Sequence, residues 1–174
     1  MRPTCHNCKK IFPPALCTAE VTTAVVEVWG EDRVGVRLSP NGAFNDMSDA
    51  DPKATFTAAV ELLHAIGVAY IHFRRGTKAD ERHGRKPVPI DHFRQLYTGV
   101  VIINDQFDKD SAEEVINDDV ADLVAFGAPF LANPDLPQRF ERNAPLNKPD
   151  VATFYTPGEK GYTDYPRLEE SLSA

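Results

Sequence analysis

The chain has 174 residues, of which 42% are apolar and 26% charged, a mixture that suits one globular domain and excludes a largely disordered chain. A formal charge of -7 and an isoelectric point near 5.2 argue against general attraction to nucleic acid or anionic membrane, since proteins normally meet both with excess Lys and Arg. No apolar run approaches the roughly 20 residues that span a bilayer, and residues 1–6 lack the apolar core of a secretion signal; the expectation is a soluble cytoplasmic protein whose partners are a small molecule and another chain.

All three cysteines, Cys5, Cys8 and Cys17, lie near the amino terminus. Cys5 and Cys8 have the spacing of a zinc knuckle or redox pair, but a structural zinc site needs four ligands, and His6 would have to turn inward to complete it. Because Pro3, Pro13 and Pro14 interrupt periodicity, residues 1–19 are expected to form an irregular extension, with metal binding the minor alternative. Residues 20–174 then form one domain. A helix over 21–29 stops at Gly30, read as a left-handed cap, and a strand follows over 33–39. The next helix is capped by Asp51 and opened by Pro52. It buries Phe56, Ala59, Val60 and Leu63 and ends at Gly67. Residues 68–73, 100–103 and 122–126 read as three more strands, and Asp108 or Ser111 opens a short helix carrying Val115 and Ile116. Four strand starts near residues 33, 68, 100 and 122 predict four consecutive βα units on a parallel sheet.

A (β/α)8 barrel has eight such units in about 200 residues or more. The chain therefore supplies half a barrel, with two strand edges and one sheet face to be covered. A partner with the other four units, self-association, or a truncated gene would each account for this.

Several residues have chemical potential on local grounds. On the first strand Val34, Val36 and Leu38 alternate with Gly35, Arg37 and Ser39, so Arg37 is predicted to point into the barrel near the carboxyl end, where such folds build their sites. There it would need an anion or polar ring, or else a structural ion pair with an acidic neighbour, to offset burial. Tyr70 and His72 share one face of the second strand, and His72 reads as a hydrogen-bonded core residue rather than a catalyst. The basic stretch 74–86 could approach a nicotinamide cofactor's phosphates, but reads first as a solvated, charged lid. Asn133, Pro134 and Asp135 read as a turn and helix cap, with Leu136 and Phe140 packing inward.

Two blocks carry a family resemblance. One is Leu123-Val-Ala-Phe-Gly-Ala128-Pro-Phe-Leu-Ala-Asn133-Pro-Asp-Leu-Pro-Gln-Arg139 with Ala144-Pro-Leu-Asn147, Thr153-Phe-Tyr155 and Gly161-Tyr-Thr-Asp-Tyr-Pro166. The other is Arg33-Val-Gly-Val-Arg37-Leu-Ser-Pro40 with Gly42-Ala-Phe-Asn-Asp-Met47. Together they resemble the carboxy-terminal half of the old yellow enzyme family, FMN-dependent NAD(P)H oxidoreductases that reduce activated alkenes. The resemblance implies a half (β/α)8 barrel, FMN as cofactor, NAD(P)H as reductant and an enone or nitro-alkene substrate. It places Arg37 beside N1 and the C2 carbonyl of the flavin, where the arginine favours the anionic reduced ring, and Phe154 and Tyr155 near the flavin and substrate pocket or in a packing pair that anchors the tail. In the family, small residues, commonly glycine, present backbone amides to the FMN phosphate where this chain has Asp105 and Gln106. An arginine usually follows the Phe-Gly of Phe126-Gly127 where this chain has Ala128. Both changes imply weaker FMN binding, with residual anion affinity at the helix start after Gly127. The family's histidine with an asparagine or second histidine three positions on, and its proton-donating tyrosine, belong to the other half; His64, His72, His83 and His92 stand in other contexts. The alternative is a flavinless, non-catalytic remnant or interaction module.

Overall fold

The computed structural model describes residues 13–43, 47–76, 80 and 87–171. The chain forms two compact units, parting between Ala125 and Phe126. The division falls where the strand ladder ends and a set of short helices with its own polar network begins.

The first unit opens with α1 (Pro13–Trp29). Residues 13–19 are thus helical, not an irregular extension. Pro13 and Pro14 occupy the first turn, where the missing N–H leaves no intrahelical bond unmade. Gly30 has φ 87 and ψ 149, so it departs from the expected left-handed helical cap and takes a conformation almost confined to glycine. After β1 (Gly35–Leu38) comes α2 (Pro52–Ile66), which packs on α1. Its ends follow the expectation. The Asp51 carboxylate accepts from Ala54 N–H at 3.1 Å, and Gly67 takes the left-handed conformation at φ 83, ψ 33. Next come β2 (Tyr70–Arg74), α3 (Ile90–Arg94), β3 (Val100–Asn104), α4 (Lys109–Asn117) and β4 (Leu123–Ala125). Asp108 and Ser111 both serve α4, in a reciprocal capping box.

The strands lie in the order β1-β2-β3-β4, all parallel. Each helical crossover returns the chain beside the strand just made, so the unit is half of a (β/α)8 barrel. Strand alternation separates two faces. The helix-facing set, Leu38, Ile71, Phe73, Val101 and Ile103, is buried, and Phe73 stacks on Phe93 of α3 at 5.2 Å. Burial of each such side chain contributes about 1.5–3 kcal/mol, so this face holds the unit together. The other face carries three cross-strand rows: Gly35, Tyr70 and Val100; Arg37, His72, Ile102 and Leu123; Arg74, Asn104 and Ala125. Tyr70 lies flat across Gly35, where a Cβ would fall 2.2 Å from ring carbon Cζ.

The second unit contains α5 (Ala128–Ala132), α6 (Leu136–Glu141), a 3-10 turn (Val151–Thr153) and α7 (Leu168–Ser171). Leu136 is buried as expected, and Phe140 meets Phe126 edge-on at 5.2 Å. Asp135 precedes α6 but its side chain makes no cap hydrogen bond to that helix. Its Oδ1 accepts from Arg139 Nε at 2.7 Å and its Oδ2 from Leu168 N–H at 2.7 Å. Arg139 also donates to the carbonyls of Pro145 and Pro166. Burial alone would push the Asp135 carboxyl up, but these partners outweigh it and hold the group below the usual carboxylate range. Asn133 and Asn147 complete the network: Asn147 N–H donates to Asn133 Oδ1, and the Asn147 amide reaches the carbonyls of Ala132 and Pro166. Among the described residues, no helix is long and apolar enough to cross a membrane.

Candidate functional site

Arg37 and His72 are paired in register on β1 and β2, on the face away from the helices. Asn104, at the carboxyl end of β3, links them. Its Oδ1 accepts from Arg37 Nη2 at 3.3 Å and lies 3.0 Å from His72 Nε2; an amide oxygen only accepts, so Nε2 carries the proton. Burial, then the charge of Arg37, lowers the His72 pKa below its ordinary value, with the Asn104 bond opposing them. His72 is therefore neutral at pH 7. Arg37 itself is exposed, which corrects the expectation of a buried inward charge: four strands leave that face open. Among the described residues it has no acidic partner within ion-pair distance, so the structural ion-pair reading has no support here. A neutral amide orients the cation and leaves its charge available.

Immediately after β3, Asp105 has φ 97 and Gln106 φ 53. Non-glycine residues in this region cost on the order of 1–3 kcal/mol each and persist only where their surroundings hold them. Arg75 does the holding. Its Nε donates to the Asp105 carbonyl at 2.6 Å and its Nη2 to the Gln106 carbonyl, while the guanidinium lies 3.8 Å from the centre of the buried Phe107 ring. Neighbouring Arg74 takes the Asp105 carboxylate at 2.8 Å and binds both oxygens of Asp80 at 3.0 Å. The Asp105 side chain is thus paired rather than a free negative charge. Two members of the basic stretch 74–86 are consumed in this way; residues 77–79 and 81–86 lie outside the described residues.

The other sequence-predicted positions belong to the second unit. Gly127 is exposed, with nothing within 4 Å of a Cβ built on it, and Ala128 starts α5 half-buried. The expected anion affinity of this helix start has little to rest on, because α5 has five residues and Pro129 contributes no N–H. Phe154 ends the 3-10 turn half-buried. Tyr155 has φ 61, is 97% exposed, and its backbone N–H donates to the Tyr162 hydroxyl at 2.6 Å. Backbone contact rather than a packed ring anchors this residue. Arg37, Asp105 and Gln106 therefore all belong to the first unit, while Gly127, Ala128, Phe154 and Tyr155 are carried by the second. Sequence reasoning gave Asn104 no role and did not single out Arg74 and Arg75 within the basic stretch, because the partners of these residues lie up to 67 residues away.

A sequence profile of the NADH:flavin oxidoreductase / NADH oxidase family matches residues 17–147. The chain belongs to that family. It is 45% identical over 157 residues to 12-oxophytodienoate reductase 1 of Oryza sativa subsp. japonica, covering 87% of this chain and 40% of the rice protein. It is 42% identical over 161 residues to a probable flavin mononucleotide-dependent alkene reductase of Leishmania infantum, covering 92% and 41%. The solved old yellow enzyme from Trypanosoma cruzi superposes with a TM-score of 0.82 at 36% identity, covering 88% of this chain and 40% of that one. Morphinone reductase does so with a TM-score of 0.82 at 40% identity, covering 90% and 42%. The chain spans two-fifths to one-half of the length of the curated relatives it matches. The half-barrel architecture and the old yellow enzyme resemblance agree with these matches.

Cys5, His6 and Cys8 lie outside the described residues; Cys17 is exposed on α1. Among the described residues, no group of three or more His, Cys, Asp or Glu is placed to hold a metal ion.

Proposed function

We propose that this chain contributes half of the barrel of an FMN-dependent, NAD(P)H-oxidising reductase of activated alkenes. The observation that carries this reading is Arg37: an exposed cation at the carboxyl end of β1, oriented by Asn104 and flanked by neutral His72. That donor set suits the electron-rich edge of a flavin ring, which gains negative charge on reduction. FMN, when bound, supplies hydride transfer from NAD(P)H to an alkene conjugated to a carbonyl or nitro group. Arg37 would bind and orient the ring, and its charge would favour electron density there. Asp105 and Gln106 stand where relatives present amides to the phosphate. Ala128 supplies no cation where relatives have arginine, which favours weaker FMN binding, and Phe154 and Tyr155 would serve the ring and substrate side.

No segment of this chain offers the acid-base residues of the family. Catalysis therefore rests on a partner with four further βα units, supplied by a second chain or by another segment. Ala128 also supports a second reading, a flavinless interaction module. The two are separated by mixing the chain with the complementary half of a relative's barrel, then following FMN fluorescence and enone-dependent NADPH oxidation. Quenching together with turnover is expected; an assembled barrel that leaves FMN free would establish the flavinless reading.

A further inference from the structure

The Arg75 clamp answers a question that the substitutions at 105 and 106 raise. A glycine adopts positive φ without steric cost, whereas Asp105 and Gln106 need an external hold, and Arg75 grips the carbonyl oxygens of both. The peptide bonds are trans, and a trans peptide points its N–H opposite to its C=O. With the Asp105 and Gln106 carbonyls turned onto Arg75, the N–H groups of Gln106 and Phe107 point away from it. Among the described residues neither N–H is taken by another group. Arg75 continues the helix-facing alternation of Ile71 and Phe73 and lies over the buried Phe107, so the two amides are presented away from the helix layer. Arg74, itself held by Asp80, meanwhile draws the Asp105 carboxylate into an ion pair.

We propose that Arg75 is a positioning residue for the flavin phosphate: it fixes the loop after β3 so that the amides of Gln106 and Phe107 form a paired anion donor, a task that glycines perform without a clamp. This rests on the flavin reading above and extends it to a residue whose side chain touches no cofactor. Arg74 has the companion role of pairing with Asp105, so a doubly charged phosphate meets less repulsion than an unpaired carboxylate at that position would give.

The test compares FMN with riboflavin, which lacks the phosphate, on the full 15N-labelled chain joined by the complementary half barrel. In the unaltered protein FMN is expected to shift the Gln106 and Phe107 amide resonances and riboflavin to leave them in place. R75A is expected to weaken FMN binding at least tenfold and riboflavin binding less than twofold, and to abolish the amide shifts. R75A/D105G/Q106G is expected to recover FMN affinity and shifts, because glycines hold the loop unaided; it also serves if R75A alone fails to fold, being compared directly with the unaltered protein. An unchanged FMN-to-riboflavin ratio in folded R75A, or no recovery in the triple variant, overturns the positioning role while the flavin reading stands. Failure of the unaltered assembly to bind either flavin overturns both.

Discussion

A single amide sets the electrostatics of the first unit's open face. Asn104 holds Arg37 without neutralising it and fixes the His72 tautomer, so a full positive charge stands beside a neutral imidazole. Because burial is the larger cause of the lowered His72 pKa and Arg37 the second, Arg37→Ala is expected to raise that pKa without restoring 6.5, as an NMR titration of His72 would show. The linkage follows: the folded chain holds His72 neutral more strongly than the unfolded chain does, so its contribution to stability is present above about pH 6.5 and is lost as pH falls through the folded value. In a flavin-loaded assembly the same substitution removes a cation beside the ring. It is expected to lower the reduction potential by about 20–45 mV, equivalent to about 1–2 kcal/mol for a two-electron couple. An unchanged or higher potential in a redox titration would remove Arg37 from the flavin. At Ala128 the converse change adds a cation: Ala128→Arg is expected to tighten FMN by about 2 kcal/mol, roughly 30-fold, while riboflavin barely responds. Equal gains for both ligands would show that the phosphate is not the group met there.

Elements whose ends are marked by local chemistry were readable from the sequence, and those made by distant contacts were not. Asp51, Pro52 and Gly67 bound α2, because a cap, a proline and a positive-φ glycine act within one turn. Asp51→Ala and Gly67→Ala are each expected to cost about 1 kcal/mol, raising α2 amide exchange about fivefold. The two sites lie about 24 Å apart along the helix, so their effects should add; coupling greater than about 0.5 kcal/mol would mean that the caps are not independent. By contrast, α3 has five residues between a proline-rich approach and a turn, and the burial of Ile90 with the stacking of Phe93 on Phe73 makes it part of the core. The start of α1 was obscured for another reason. Proline suggests interruption, yet in a first helical turn it is tolerated. At the candidate site, alternation was enough to place Arg37, Tyr70 and His72 on one face. The hold of Arg75 on two carbonyls 30 and 31 residues away depends on the fold and could not be read in advance.

At the scale of the molecule, a sheet that would close in an eight-unit barrel has two end strands, β1 and β4, and one face without a helix layer among the described residues. Tyr70, Val100 and Leu123 are exposed on that face. A second uncovered surface runs along α1, where Val21, Val25, Val28 and Trp29 recur at helical spacing and are exposed although α2 covers the opposite side. Unpaired parallel edges together with two apolar surfaces favour association, because burying exposed apolar area contributes about 25 cal/mol per Å² and edge strands offer unpaired N–H and C=O groups. The isolated chain is therefore expected to run in sizing with light scattering as dimers or larger species, and the complementary half barrel is expected to convert these to a defined one-to-one complex. Val21→Asp with Val28→Asp provides the internal control: both side chains are exposed, so folding should survive, but two carboxylates on the α1 stripe would oppose apolar contact. If that stripe helps drive association, the double variant shifts toward smaller species at equal concentration with unchanged far-UV circular dichroism. A compact, non-aggregating particle of one chain mass, 19.3 kDa, from the unaltered sequence would show that the exposed face and edges need no cover.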